Sequence, residues 1–312
     1  MGKPSYLSDQ VVRDSITPTK ARELIRDALR GDFDPAMDPV RGNVAAGAGH
    51  FLLMPSTIGP WTGIKVLTVA PDNPSLGLER IQAFYQLFDS ATLTCRAIIE
   101  ANALTSLRTP ATSAVAADVL AAPDASRLLI VGSGGQAIGH VRAMAEIRQL
   151  TDIALTARNR DKVAEVVAQL RAEGYPARVA DSAAEAADCD IIVCATSAAE
   201  PVIADSDVKD GACVIAMGSH EPHYRELPGE LMGRSLVIVE DVATALREAG
   251  DVIQAIAEGH LKQADLVPLR DLATGQVSRR TNAPNVFKGV GMSWQDLAVA
   301  IGVASAAGID HT

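Results

Sequence analysis

The chain has 312 residues, of which 48% are hydrophobic and 21% charged, so it can bury a sizeable core and is not disordered. This length predicts two domains. Twenty-eight Lys and Arg residues against 38 Asp and Glu residues give a net charge of −10, which disfavours any partner bound mainly through its phosphate backbone. Nucleic acid is therefore not an expected ligand.

Cysteine usage and the first residues indicate the compartment. The four cysteines form no C-x-x-C pair, which favours free thiols in a reducing cytosol. The start of the chain has scattered charges and no apolar signal core, and no uncharged apolar run of about 18 residues occurs. We expect a cytoplasmic protein with no membrane partner.

The first third of the sequence predicts a helix followed by strands. Thr17 and Pro18 form an N-cap and a first helical position, and the helix is expected to end near residue 29. Short segments rich in β-branched or aromatic residues follow at 50–54, 61–69, 83–88 and 92–99, the last two joined as a hairpin across Asp89 and Ser90. Strands in succession predict an antiparallel sheet. A helix of small residues is predicted at 107–122.

Beyond this helix, strands and helices alternate. Apolar runs predict strands at 127–131, 152–157, 177–180, 190–195, 212–217 and 235–239, as expected for parallel strands covered by helices on both faces. The fold class is α/β, with a Rossmann-type doubly wound parallel sheet and a separate α+β domain. A C-terminal helix at 293–307, with Ser293 as its N-cap, is expected to pack back on the N-terminal region.

A glycine-rich turn follows the strand at 127–131. Gly132, Gly134 and Ala137 form a G-x-G-x-x-A pattern, with Gly135 and Gln136 inside it. The first glycine permits a tight turn, the second allows close approach of a pyrophosphate, and the alanine keeps the helix near the strand. This context predicts dinucleotide binding.

About 20 residues further on, an NAD-selective domain usually places a carboxylate against the ribose 2′-hydroxyl. Here the sequence offers Arg158, Asn159 and Arg160 instead, and guanidinium groups favour a 2′-phosphate. NADP(H) is therefore the favoured cofactor, with NAD(H) as the alternative. The other interpretation is that both arginines only begin a solvated helix.

Three cations of the N-terminal region stand in apolar or small-residue surroundings: Arg41, Lys65 and Arg108. Such surroundings are unusual for a freely solvated cation, although each alone is compatible with a surface charge.

No metal site is expected, because the H-x-x-H pair His220 and His223 lies in a loop without a third ligand nearby. The run 239–259 is interpreted as a charged surface helix.

Several spaced motifs together resemble the ornithine cyclodeaminase/μ-crystallin family. They are YLSDQVV near the start, P-x-R at 39–41, LLMPS at 52–56, Lys65 followed by Asn73 and Pro74, LTSLRTPATSA at 104–114, the glycine loop, GSHEPHYREL at 218–227 and VFKGVGMSWQDLA at 286–298. Their number and order make the resemblance specific over nearly the whole chain.

The resemblance implies a homodimer joined through N-terminal sheets, with residues 1–117 and 293–312 forming the substrate-binding and dimerisation domain and 118–292 the dinucleotide-binding domain. It implies that Arg41, Lys65 and Arg108 hold the carboxylate of a small α-amino or α-imino acid, with Lys65 near the reacting nitrogen. It also implies hydride transfer at Cα and cofactor contacts at Thr109, Thr196, Val290 and Gly291.

The sequence departs from the cyclodeaminases of that family at two carboxylates that would meet a second amine. Leu52 stands where they have a glutamate, and His220 where they have an aspartate. An ornithine ammonium would then be buried without its expected partner. His220 becomes a candidate proton donor, with Lys65 as the alternative, although it could also only contact water. Glu221, one position away, could supply the missing charge.

Three functions remain open. The favoured one is an NAD(P)-dependent ketimine reductase or amino acid dehydrogenase. The second is ornithine cyclodeaminase proper, which would convert L-ornithine to L-proline and ammonia with NAD recycled. The third is a protein that binds NADP and a small ligand without turnover, against which the three cations argue, because storage needs no carboxylate clamp.

Overall fold

The computed structural model describes residues 3–311. The chain forms two compact units: residues up to Arg108 together with those from Met292 onward, and Thr109–Gly291. The boundary falls inside a helix, Ala101–Leu120. That helix begins at Ala101, earlier than the predicted start at residue 107.

The helices and strands, in chain order, begin with β1 (Ser5–Leu7), α1 (Asp9–Ser15), α2 (Pro18–Arg30), β2 (Gly42–Ala46), β3 (Gly49–Ile58), β4 (Trp61–Val69), β5 (Ile81–Asp89), β6 (Cys95–Glu100), α3 (Ala101–Leu120), β7 (Arg127–Val131), α4 (Gly135–Ala145), β8 (Asp152–Thr156) and α5 (Arg160–Ala172). They continue with β9 (Ala177–Val179), β10 (Ile191–Cys194), β11 (Cys213–Ala216), α6 (Gly229–Arg234), β12 (Leu236–Val239), α7 (Val242–Glu248), α8 (Gly250–Ala257), β13 (Leu266–Pro268), α9 (Leu269–Ala273), β14 (Asn285–Lys288) and α10 (Ser293–Ala306).

The sheet of the first unit has the order β1-β6-β5-β4-β3-β2. The strands β2 to β6 pair antiparallel with one another in sequence order, and the hairpin β5–β6 is confirmed. β1 and β2 were not predicted, and β1 pairs parallel with β6. A strand of three residues such as β1 is too short for side-chain alternation to stand out from its surroundings.

One face of this sheet is buried, with Met54, Lys65, Tyr85 and Leu87 on its central strands. Helix α10 packs against β3, β4 and β5 and against α2. The prediction that Ser293 is the N-cap of α10 is wrong: Met292 is the cap residue and makes no side-chain cap bond. A carboxylate from elsewhere in the chain replaces the local cap, because Asp38 Oδ2 accepts the backbone N–H of Trp294 at 3.0 Å.

The sheet of the second unit has the order β13-β12-β14-β11-β10-β7-β8-β9, and every described pairing in it is parallel. The strand order reverses between β7 and β10, which is where doubly wound sheets bind ligands. The predicted fold class is confirmed. β13 and β14 were not predicted. β14 carries Lys288, which interrupts the apolar pattern of a buried strand, and β13 has only three residues.

The interpretation of 239–259 as a surface helix is wrong. The segment forms two short helices, α7 and α8, and two of its carboxylates, Glu240 and Asp251, are buried. Both carboxylates accept hydrogen bonds from backbone N–H groups of distant loops. Sequence spacing alone does not show such long-range contacts. Among residues 3–311, no helix is long and apolar enough to cross a membrane.

Candidate active site

A buried lysine lies at the centre of the first unit. Lys65 is on β4 and directly opposes Met54 on β3 and Tyr85 on β5, so the three side chains share the face covered by α10. Its ammonium donates to Asp296 Oδ2 at 2.7 Å, and both side chains are almost fully buried. The sheet therefore presents one cation to one carboxylate away from bulk water.

One further cation lies beside the same carboxylate, and another lies near Lys65. Arg108 Nε lies 3.4 Å from Asp296 Oδ1, and Arg108 Nη1 donates to Gln295 Oε1 at 2.8 Å. Arg41 is close enough for its charge to lower the pKa of Lys65. The structure thus brings together Arg41, Lys65 and Arg108. Among these three cations and Asp296, positive charge is in excess, which suits a substrate carboxylate.

The surroundings of Lys65 lower its pKa. Burial lowers its pKa to about 8, and the charges of Arg108 and Arg41 act in the same direction, whereas Asp296 opposes the shift. A lysine with such a pKa is protonated at neutral pH and can lose its proton at modest cost, as general acid catalysis requires.

Asp296 and Gln295 were not identified from the sequence. They lie next to each other in α10 and are fully buried, yet the segment was interpreted as an apolar helix. The available signal was a pair of adjacent polar residues inside an apolar run, because such residues are buried only with partners.

In the second unit, the glycine loop joins β7 to α4. Gly132 has φ +146°, and a Cβ there would lie 2.6 Å from the carbonyl oxygen of Ala195, so only glycine fits this turn. In contrast, a Cβ on Gly134 or Gly135 would meet nothing within 4 Å. Gly134 is the N-cap of α4. The open side of this loop and the helix N-terminus fit a pyrophosphate group.

The residues after β8 contain no carboxylate before Asp161, which lies in the first turn of α5. Arg158 is exposed. Arg160 Nη1 donates to the Ala180 carbonyl oxygen at 2.6 Å, and the Asn159 side chain caps α5 by accepting the Lys162 N–H at 3.0 Å. Of the three predicted residues, Arg158 therefore keeps the most freedom to meet a 2′-phosphate.

The loops after β10 and β11 are tied together by a buried carboxylate. Glu226 Oε1 accepts the backbone N–H of Thr196 at 2.6 Å and its hydroxyl at 2.8 Å, and Oε2 accepts the Gly218 N–H at 2.7 Å. Burial raises the pKa of Glu226, while Lys288 opposes that shift. Thr196 is thus fixed, and His220 lies in the exposed continuation of the β11 loop.

Lys288 completes this buried network. Its ammonium lies 3.0 Å from Asp251 Oδ2 and donates to the Ser219 carbonyl oxygen at 2.7 Å. Asp251 Oδ1 in turn accepts the backbone N–H groups of Glu226 and Leu227. The network holds the backbone next to His220, although the His220 side chain is exposed.

The remaining predicted cofactor residues also lie in structured positions. Thr109 is buried in α3. Glu240 Oε2 accepts the N–H groups of Val290 at 2.8 Å and Gly291 at 3.0 Å, so these two residues form a turn held by a carboxylate at the end of β12. Across residues 3–311, no group of three His, Cys, Asp or Glu residues is placed to hold a metal ion.

Two separate features now define the class of protein: a doubly wound domain with a dinucleotide loop, and a buried lysine among groups suited to a carboxylate. The sequence matches the ornithine cyclodeaminase/mu-crystallin family over residues 11–307. The chain belongs to this family, as the resemblance predicted.

Individual relatives share most of the chain. It is 35% identical over 272 residues to a Delta(1)-pyrroline-2-carboxylate reductase of Bacillus thuringiensis subsp. konkukian, covering 84% of this chain and 83% of the relative. It is 29% identical over 310 residues to the ketimine reductase mu-crystallin of Mus musculus, covering 95% of each.

Among solved structures, the Thermococcus litoralis Delta(1)-pyrroline-2-carboxylate reductase in complex with NADH and L-proline is similar, with a TM-score of 0.91, 26% identity and 97% of each chain covered.

The two glycines of the loop should behave differently on substitution. Gly134→Ala adds a methyl group in open space, so the melting temperature should stay near that of the wild type while the dissociation constant for the dinucleotide rises roughly tenfold or more. Gly132→Ala forces strain into the turn and should lower stability by about 1–3 kcal/mol. Thermal denaturation and cofactor fluorescence titration measure both. Equal loss of stability in the two variants would contradict the assignment.

Proposed function

We propose that the protein reduces the C=N bond of a small cyclic α-imino acid with NAD(P)H, as a ketimine reductase of the pyrroline-2-carboxylate type. The observation that carries this proposal is the buried Lys65–Asp296 pair with Arg108 on the same carboxylate. The similarity to reductases of this substrate class supports it.

In this proposal, Arg41 and Arg108 bind the substrate carboxylate, since forked guanidiniums match its two oxygens. Lys65 donates the proton that forms the new N–H bond. The bound reduced nicotinamide supplies the hydride and its electron pair, which reduce the imine carbon. His220 is the alternative donor, but its side chain is exposed, whereas Lys65 is buried with a pKa lowered to about 8.

The site offers little for a second substrate ammonium. Leu52 occupies β3 at the position of one cyclodeaminase carboxylate, and Glu221, the substitute considered above, is exposed. A substrate without a charged side chain avoids the cost of burying an unpaired ammonium. These features favour the reductase over ornithine cyclodeaminase.

We further propose that NADP(H) is preferred and that the protein works as a homodimer. Arg158 and the lack of a carboxylate before Asp161 support the first. For the second, the face of the sheet away from Lys65 exposes Phe51 and Phe84, and such apolar faces are commonly covered by another subunit. A solution mass near that of two chains checks the dimer.

The reaction itself is tested with purified protein, Δ1-pyrroline-2-carboxylate or Δ1-piperideine-2-carboxylate, and NADPH or NADH. We expect oxidation of the reduced cofactor and formation of the cyclic amino acid. Lys65→Met should lower kcat by roughly 100-fold or more, as loss of a general acid does, with cofactor affinity unchanged. Lys20→Met, on the exposed face of α2, is the matched control. Proline formed from L-ornithine without net reduction would instead establish a cyclodeaminase.

Cofactor preference is tested at Arg158. Replacing it by alanine should weaken NADPH binding roughly tenfold, the effect of losing one charge-assisted contact to phosphate, and leave NADH binding nearly unchanged. Lys162→Ala, which removes a neighbouring exposed cation of α5, should change neither. Equal affinities for NADPH and NADH in the wild type would rule out this role of Arg158.

A further inference from the structure

The burial of Lys65 means that a proton reaches it only through neighbouring groups. After giving its proton to the substrate nitrogen, Lys65 must regain one before the next turnover, yet its side chain is only 2% exposed. Its nearest acidic neighbour, Asp296, has no exposed surface either. A buried donor of this kind needs a chain of exchangeable groups that leads to water.

Tyr85 is a buried polar group that the proposed reaction leaves unused. It faces Lys65 across β4 and β5 and is completely buried. Among the described residues, its hydroxyl has no hydrogen-bond partner, which is costly unless ordered water or a ligand serves it. The negative charges of Asp296 and Asp38 and, above all, burial raise the pKa of Tyr85 well above its usual value, so the hydroxyl keeps its proton.

The position of the hydroxyl is set by a glycine. A Cβ built on Gly63 would lie 2.2 Å from Tyr85 Oη, so the hydroxyl rests directly over the backbone of β4. Gly63 is paired with Ser56 of β3, and Ser56 points to the same buried face. β4 lies between the strands of Tyr85 and Ser56, and because Gly63 has no side chain, nothing from β4 separates the two hydroxyls at this position.

Ser56 leads on to a half-buried carboxyl. Burial raises the pKa of Asp38 to about 6, while the nearby Ser56 hydroxyl and the Trp294 N–H oppose that shift, so this group exchanges protons readily near neutral pH. Among the described residues, Ser56 Oγ and Asp38 Oδ1 are both buried without a hydrogen-bond partner, as expected of two groups that an ordered water joins. Asp38 is also held by the Trp294 N–H, two residues before Asp296. The same helix end thus fixes both carboxylates.

We propose that Asp38, Ser56 and Tyr85, bridged by ordered water, form a proton relay that returns protons from solvent to the Lys65–Asp296 pair. This proposal rests on the proposed reductase function. During turnover, the N–H bond forms as the Nζ–H bond of Lys65 breaks. A solvent proton then enters at Asp38, passes along the two hydroxyls, each accepting one proton and releasing another, and reaches Lys65 through Asp296.

The relay predicts that its loss slows proton return but not hydride transfer. Tyr85→Phe keeps the ring and removes the hydroxyl. In this variant, rapid mixing should show a burst of cofactor oxidation equal to the enzyme concentration at the wild-type rate, followed by a steady state slowed roughly tenfold or more. An indicator dye should show proton uptake lagging behind hydride transfer, and the solvent deuterium isotope effect on kcat should increase.

Matched variants separate the relay from a general packing effect. Ser56→Ala should reproduce the burst and the lag, whereas Tyr175→Phe, on a partly exposed tyrosine of the second unit, should behave as the wild type. If Tyr85→Phe slows the burst and the steady state equally, or changes neither, the relay is overturned. Wild-type turnover of the imino acid is measured first, so a failure of the proposed function is seen independently.

Discussion

The buried contact between Lys65 and Asp296 is the interaction on which the first unit depends. Removing one partner of a buried ion pair typically costs about 3–5 kcal/mol, because the remaining charge has no compensation. The pair joins β4 to α10, two elements that lie far apart in sequence, so losing either partner would weaken the contact between them. Arg108 reaches the same carboxylate from α3, so three elements meet at one anion. The excess positive charge that results is suited to an anionic substrate, and the lowered pKa of Lys65 suits proton donation.

The second unit uses buried charge for a different purpose. Glu226, Asp251 and Glu240 accept backbone N–H groups of the loops after β10 and β11 and of the turn after β14. Loops at the carboxyl ends of parallel strands carry the ligand contacts of this fold. Carboxylates that fix their backbones limit the rearrangement needed on binding, which is how preorganised sites gain affinity and rate.

The parts that the sequence predicted are those whose signal is local. The glycine loop was found because its strand, turn and helix are contiguous, and Lys65 and Arg108 stood out as cations in apolar surroundings. Asp296 was not found, since its partner Lys65 lies 231 residues away and one carboxylate does not change the overall pattern of an apolar helix. The N-cap of α10 was assigned wrongly for the same reason: Asp38, a distant residue, replaces the local cap. Long-range polar pairing is decided by packing, which periodicity does not report.

In the proposed reductase, Asp296 sustains the protonated form of Lys65, the proton donor. The most direct test is the pH dependence of kcat/KM for imino acid reduction in the wild type, in Asp296→Asn and in the conservative control Asp296→Glu. Because the donor is lost as pH rises through the pKa of Lys65, which is about 8, wild-type activity should decline above that pH. Asp296→Asn removes the charge that raises this pKa, so its decline should begin roughly one pH unit lower or more, with Asp296→Glu close to the wild type. An unchanged midpoint in Asp296→Asn would show that Asp296 does not sustain the protonated form of Lys65.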